Sequence, residues 1–189
     1  MKKYCFLAVC GLLGMLPSLG WTGAKAQKTK TDLEELKQQI ELFETVLNQS
    51  LTQGFGGPFD TLGKGRGAYL PGYGVVFTFE VSLSPWQNLG PFSAPSTPKS
   101  EELQREQENR RREKAKVVAQ QVLTNFAQIL RQLSPGESVA VIVQTVAAHP
   151  GKVERSTIVV SAEKSLIDQR QNNSIDQAEF VRKLTTTEY

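Results

Sequence analysis

The sequence predicts an α+β fold, in which a small, mostly antiparallel sheet of about three strands is packed by two or three helices after a cleaved signal peptide. Three observations support this class. Apolar residues recur at helical spacing after residue 30, alternate with polar residues from Gly74 to Leu83, and form a nearly continuous β-prone run from Ser138 to Ala148. Helical and strand patterns separated in this way predict a sheet covered by helices.

Residues 1–26 have the composition of an export signal. Two lysines are followed by a run of apolar and small residues, and Ala24-Lys25-Ala26 is a cleavage signature of the A-x-A type. We therefore expect an exported protein, periplasmic or secreted, whose mature chain begins near Gln27 and forms a single domain over 27–189.

Cys10 leaves one membrane alternative open. Leu7-Ala8-Val9-Cys10 resembles a lipid-attachment motif, in which the cysteine would carry the lipid. Val9 is bulkier than the residue expected before the cysteine, and the preceding residues are too few for a charged start and a full apolar run. Cleavage near Ala26 is therefore the prediction.

Charge and cysteine content narrow the function classes of the mature chain. The whole chain carries +3, but cleavage would remove three of its 22 basic residues and none of its 19 acidic ones, which leaves a net charge of zero. A neutral chain argues against a nucleic-acid partner. Both cysteines lie within the signal and only one histidine exists, so we expect no soft metal site and no cofactor. No later segment is apolar for long enough to predict a transmembrane span in the mature chain.

The first helix is predicted to start at the capping box Thr31-Asp32-Leu33-Glu34 and to end near Gly54. Five apolar residues form one stripe along it: Leu33, Leu36, Ile40, Phe43 and Leu47. The prediction is that this stripe packs on its own domain. The same spacing also suits a coiled coil, so a homodimer through these five residues is the alternative.

Two segments are predicted to be irregular. Eight glycines between Gly54 and Gly74 predict a loop, and four prolines in 84–100 predict a linker. The motif Gly63-Lys64-Gly65-Arg66-Gly67 mixes glycine and basic residues, as phosphate-binding loops do. It lacks the Ser or Thr of a P-loop, and a helix precedes it where a dinucleotide fingerprint needs a strand. We expect a structural loop around the sheet edge, with a ligand-contacting loop as the alternative.

The remaining pattern predicts two more strands and two or three more helices. Ser138 to Ala148 reads as a central strand covered on both faces, paired as an antiparallel hairpin with Thr157 to Ala162. The predicted helices are a long one from about Glu101 to Leu133 with a charged first half and an apolar second half, a short one within 162–170, and a last one from Ser174. Arg110-Arg111-Arg112 lies among glutamates, which predicts a salt-bridged solvent face rather than a polyanion site.

The segment Tyr69-Leu70-Pro71-Gly72-Tyr73-Gly74-Val75-Val76-Phe77 resembles a group of uncharacterised exported bacterial proteins, in which P-G-Y-G-V-V-F opens the first strand. The resemblance covers about residues 68–189. Because that group has no known activity, the resemblance implies export and a single domain, and it implies no site.

Four residues are candidates for contacts with a ligand or partner. Tyr69 and Tyr73 flank the turn residues Pro71 and Gly72, Glu80 lies on the strand that follows, and His149 ends the central strand. For catalysis by carboxylates, Asp60 and Glu80 are the candidate pair. No motif supplies a nucleophile with a histidine base, so no catalytic residue is predicted.

These observations favour an exported, non-catalytic interaction or accessory protein of the bacterial envelope, with a protein partner. A periplasmic small-ligand carrier and a carboxylate-based hydrolase are the alternatives. A deep pocket lined by Tyr69, Tyr73 and Glu80 would favour an alternative, whereas a flat apolar surface on the first helix would favour the interaction protein.

Overall fold

The structure is a computed structural model that describes residues 29–55, 61–84, 98–149 and 151–189. The predicted signal peptide lies outside these ranges. The elements in chain order are α1 (Lys30–Phe55), β1 (Arg66–Leu70), β2 (Gly74–Ser82), α2 (Pro98–Phe126), β3 (Ser138–His149), β4 (Lys152–Glu163), α3 (Lys164–Gln171), α4 (Gln177–Lys183) and β5 (Thr185–Glu188). A 3-10 turn, Ala127–Ile129, follows α2.

The five strands form one mixed sheet in the order β1-β2-β3-β4-β5. β2 and β3 are parallel, since α2 crosses over between them, and the other neighbours are antiparallel. The β3–β4 hairpin predicted from sequence is present. The prediction of about three mostly antiparallel strands was wrong: β1 lies inside the predicted glycine-rich loop and β5 follows the last helix. Both are edge strands, and neither carries the apolar alternation that marks a buried strand.

All four helices contribute to one core on one face of the sheet. Alternate residues of the three inner strands, among them Phe77, Val141 and Ile158, join this core. The side chains that alternate with them belong to the opposite face, which we call the open face. In the part of the chain that the structure describes, no helix packs there, and Ile142 and Val146 are half-buried. The described residues therefore supply no second helical layer over β3, although Ala140 on this face is buried.

The apolar stripe of α1 packs inside the chain. The helix starts slightly earlier than predicted, because the Thr29 hydroxyl accepts the Asp32 amide while the Asp32 carboxylate accepts the Thr29 amide. Of the five stripe residues, Leu33 is partly exposed and the other four are buried in the core: Leu36, Ile40, Phe43 and Leu47. The structure thus uses within the domain the side chains that a coiled-coil seam would present to a second copy.

Glycines near β1 allow α1 and the sheet to approach closely. A Cβ atom on Gly67 would lie 2.5 Å from the Phe77 ring and 2.8 Å from Ile40, and one on Gly65 would lie 2.8 Å from Leu47. The amides of Gly65 and Gly67 donate to Asn48 and Glu44 of α1 at 2.8 and 2.7 Å. Both amides are therefore occupied within the chain, which leaves neither of them to hold a phosphate.

Candidate functional site

The structure does not bring the four predicted site residues together. Tyr69 pairs with Val75 and shares its face of the sheet, which is the helix-covered face. Glu80 is five residues beyond Val75 on the same strand, and an odd separation places two side chains on opposite faces of a sheet. Tyr73 lies in the turn between β1 and β2, and His149 lies at the far end of β3. The predicted pocket lined by Tyr69, Tyr73 and Glu80 is not formed.

Tyr69 is bound to a buried carboxylate. Its hydroxyl donates to Glu137 Oε1 at 2.6 Å, and Glu137 Oε2 accepts the Ser134 amide at 2.7 Å. The hydrogen bond to Glu137, then burial and then the charge of Glu137 raise the pKa of Tyr69 to about 12. Glu137 also accepts the Lys164 amide through its backbone carbonyl, at 2.8 Å. Tyr69 therefore connects β1 to the loop before β3, which is a structural role.

Glu80 lies on the open face in an ion pair. Arg155 of β4 reaches across β3, and its guanidinium lies 3.0 Å from Glu80 Oε1. The pair holds Oε1 of the carboxylate that the hydrolase hypothesis assigns to catalysis against Arg155. Asp60, its predicted partner in that hypothesis, lies outside the described residues.

The open face carries a small aliphatic patch. Its half-buried members lie on the three inner strands: Val76, Ile142, Val146 and Val159. The neighbouring polar residues include Thr78 and Gln144, and the Glu80–Arg155 pair neutralises its own charges. The patch itself is therefore aliphatic, and the exposed Arg66 of β1 lies at its margin, opposite Thr78.

Tyr73 borders a shallow groove of about 430 Å³ at the end of the sheet where β3 begins and β4 ends. Hydroxyl groups dominate its polar wall, together with one carboxylate and one ammonium group: Ser138, Ser161, Ser165, Thr185, Glu163 and Lys183. The Ser165 hydroxyl donates to Glu163, and Lys183 pairs with Glu179 at 2.8 Å. A groove with this lining offers hydrogen bonds to a small polar ligand.

His149 belongs to a polar cluster that sequence analysis did not identify. The buried Glu108 of α2 accepts from Ser84 and Gln104, each at 3.0 Å, and its second oxygen lies 3.7 Å from His149 Nε2. Ser84 also accepts the Ala148 amide at 2.9 Å. The cluster joins α2 to the ends of β2 and β3.

The order of groups in this cluster does not match a catalytic triad. In a triad the imidazole lies between the hydroxyl and the carboxylate, so that it can remove the hydroxyl proton. Here Glu108 lies between Ser84 and His149, and the Ser84 hydroxyl points its proton at the carboxylate. The arrangement therefore supports α2 and does not activate a nucleophile.

Glu108 could have been identified from helical spacing. The apolar face of α2 includes Ala115, Val118 and Val122, and extending that face one or two turns towards the helix start leads to residue 108. An acidic residue in line with an apolar stripe indicates a buried polar contact. Glu137 has no such signal, because it lies in a turn whose packing depends on residues distant in sequence.

The arginine triplet of α2 lies in a network of opposite charges. Arg110 pairs with Glu106 at 2.6 Å, and Arg112 lies 3.4 Å from Glu188 of β5. Lys116 lies 3.5 Å from Glu113. These contacts agree with the salt-bridged face predicted from the sequence.

The described residues show neither a metal site nor a membrane-spanning helix. They contain no group of three or more His, Cys, Asp or Glu side chains placed to hold a metal ion. None of the helices within 29–55, 98–149 and 151–189 has an apolar stretch long enough to cross a membrane.

Comparisons with known proteins identify no relative. No family model matches the chain, and neither the curated proteins nor the solved structures contain a significant match.

Proposed function

We propose that this protein is an exported, non-catalytic interaction protein of the bacterial envelope, and that a partner protein with a flat aliphatic surface binds its open face. The observation that carries the proposal is the one-sided packing of the sheet, which leaves an aliphatic patch with no described helix over it. Clustered apolar side chains on a surface are typical of protein interfaces.

The charges of the open face favour a protein partner over a phosphate-bearing ligand or an anionic lipid surface. On the open face Arg155 is matched by Glu80, while Arg66 of β1 is exposed. On α2, Arg110 and Arg112 lie beside Glu106 and Glu188. With few basic side chains, the open face gains little from phosphate or anionic lipid. An uncharged apolar partner surface loses no favourable hydration of charges on binding the patch.

The test is recovery of tagged protein after cross-linking in native envelopes. Ile142→Lys and Val159→Lys place a charge in the patch and should abolish one specific cross-linked product while the circular dichroism spectrum stays native. Val117→Lys is the matched control, because Val117 is 44% exposed on α2, away from the open face. Equal recovery of that product with all three variants would refute the proposal.

A small-ligand carrier is the second candidate, and the Tyr73 groove is the observation that favours it. Native mass spectrometry of protein recovered from envelopes tests this candidate. A bound small molecule should be present in the unmodified protein and absent from Tyr73→Ala. The control is Leu70→Ala, since Leu70 is exposed on the same hairpin but does not line the groove. An unmodified protein with no bound molecule would contradict it.

A further inference from the structure

The two edge strands of the sheet, β1 and β5, differ in whether other parts of the chain contact their outer side. At the β1 edge, side chains of α1 take the amides of Gly65 and Gly67, as described above. At the β5 edge, among the described residues, no strand or helix pairs with the outer side of the strand. All four β5 residues are exposed, and the strand contains no lysine, proline or bulge of the kind that blocks edge pairing.

The register identifies which β5 groups are free. Thr157 and Tyr189 exchange two backbone hydrogen bonds, of 2.7 and 3.1 Å, so they form a hydrogen-bonded pair. In an antiparallel ladder such pairs alternate with non-hydrogen-bonded pairs. Thr187 is therefore bonded to β4, whereas the backbone groups of Thr186 and Glu188 point away from it.

We propose that β5 pairs with β5 of a second copy of this chain, so that two five-stranded sheets become one continuous sheet of ten strands. A two-fold axis through Thr187 places Thr186 opposite the partner's Glu188 and Thr187 opposite the partner's Thr187. The free groups of Thr186 and Glu188 then form four N–H···O bonds across the axis.

The register with the axis through Thr187 is favoured over the registers with the axis one residue earlier or later. An axis through Glu188 would place two carboxylates directly opposite each other, which is destabilising. An axis through Thr186 would place Leu184, the residue that ends α4, opposite the partner's Glu188. The axis through Thr187 leaves Glu188 beside Arg112, and it brings Tyr189, 73% exposed, opposite the partner's Thr185. Aromatic and β-branched side chains form favourable cross-strand pairs.

A single-cysteine experiment tests both the pairing and its register. In the full chain with Cys5→Ser and Cys10→Ser, Thr187→Cys should form an intermolecular disulfide under mild oxidation, since a non-hydrogen-bonded pair places the two Cα atoms about 4.5 Å apart. Thr185→Cys is the matched control. Its two thiols would lie roughly 13 Å apart along the strands and should stay reduced. Equal cross-linking of both variants, or of neither, would overturn the proposal.

Light scattering over a range of concentrations provides the second test. The unmodified protein should approach twice its monomer mass as concentration rises. Thr186→Pro removes an outward amide and should keep the protein monomeric, while Thr186→Val retains that amide and should still dimerise. A protein that is monomeric throughout, or a dimer that Thr186→Pro leaves unchanged, would contradict pairing through β5.

The dimer goes beyond the proposed function and is tested separately from it. Two copies joined through β5 would present their open faces side by side, so one dimer could bind two partner surfaces with an avidity gain. Ile142→Lys should reduce partner recovery without changing the dimer mass measured by light scattering. Thr186→Pro should lower that mass to the monomer value while Ile142 is still in place. The two proposals can therefore fail independently.

Discussion

At the scale of single residues, the structure assigns packing roles to side chains that sequence analysis selected as binding candidates. Tyr69 is the clearest case, because its hydroxyl binds Glu137 at 2.6 Å and its ring lies against the core. A tyrosine beside glycines in a turn looks accessible in the sequence. Its partner follows 68 residues later, and only the folded chain brings the two together.

Tyr69→Phe should lower the free energy of unfolding by about 1 to 3 kcal/mol, because a buried carboxylate oxygen loses its donor. The matched control is Tyr73→Phe, whose hydroxyl borders the open groove. Denaturant unfolding near neutral pH measures both variants. A loss equal to that of the control would show that the Glu137 contact is not stabilising.

The raised pKa of Tyr69 also predicts a pH dependence. Between its ordinary value of 10.0 and the folded value of about 12, the unfolded chain releases the phenol proton while the folded chain retains it. The free energy of unfolding should therefore fall as pH rises through this window. Tyr69→Phe should show a shallower fall, and curves that stay parallel would contradict the assignment.

At the scale of elements, α1 and the β1–β2 hairpin are matched to each other at glycines. Gly67→Ala should cost about 1 to 3 kcal/mol, since the added methyl group would overlap both the Phe77 ring and Ile40. Gly136→Ala is the control, because a Cβ there meets no atom within 4 Å. Thermal unfolding followed by circular dichroism compares them. Similar melting temperatures for the two variants would contradict the close approach of α1 to β1.

At the scale of the whole molecule, one core on one side of the sheet holds all four helices. Ile40→Asp should abolish folding, because an unpaired carboxylate in this core costs several kcal/mol of a total of about 5 to 15. Leu42→Asp is the control on the same helix, where the side chain is 53% exposed, and it should remain folded. Circular dichroism with light scattering checks both, and a folded monomer from Ile40→Asp would show that the stripe is a dimer seam instead.

Much of the fold is predictable because burial imposes a period on the sequence. The α1 stripe, the alternation in β2 and the apolar run of β3 each face the core, and each was identified with its correct element type. The β3–β4 hairpin follows from two such runs on either side of a short turn. These elements are long and well packed, so their patterns are strong.

The sequence by itself determined the α+β class, the core stripe of α1 and the inner strands, because each of these depends on side chains that must be buried at a regular spacing. Tertiary structure alone decided the edge strands β1 and β5, the parallel pairing of β2 with β3, and the separation of Tyr69 from Glu80. Edge strands bury little and so carry no period, and pairing direction depends on the path of α2 across the sheet. The open face is likewise set by where the helices pack, a choice that involves contacts between residues far apart in sequence.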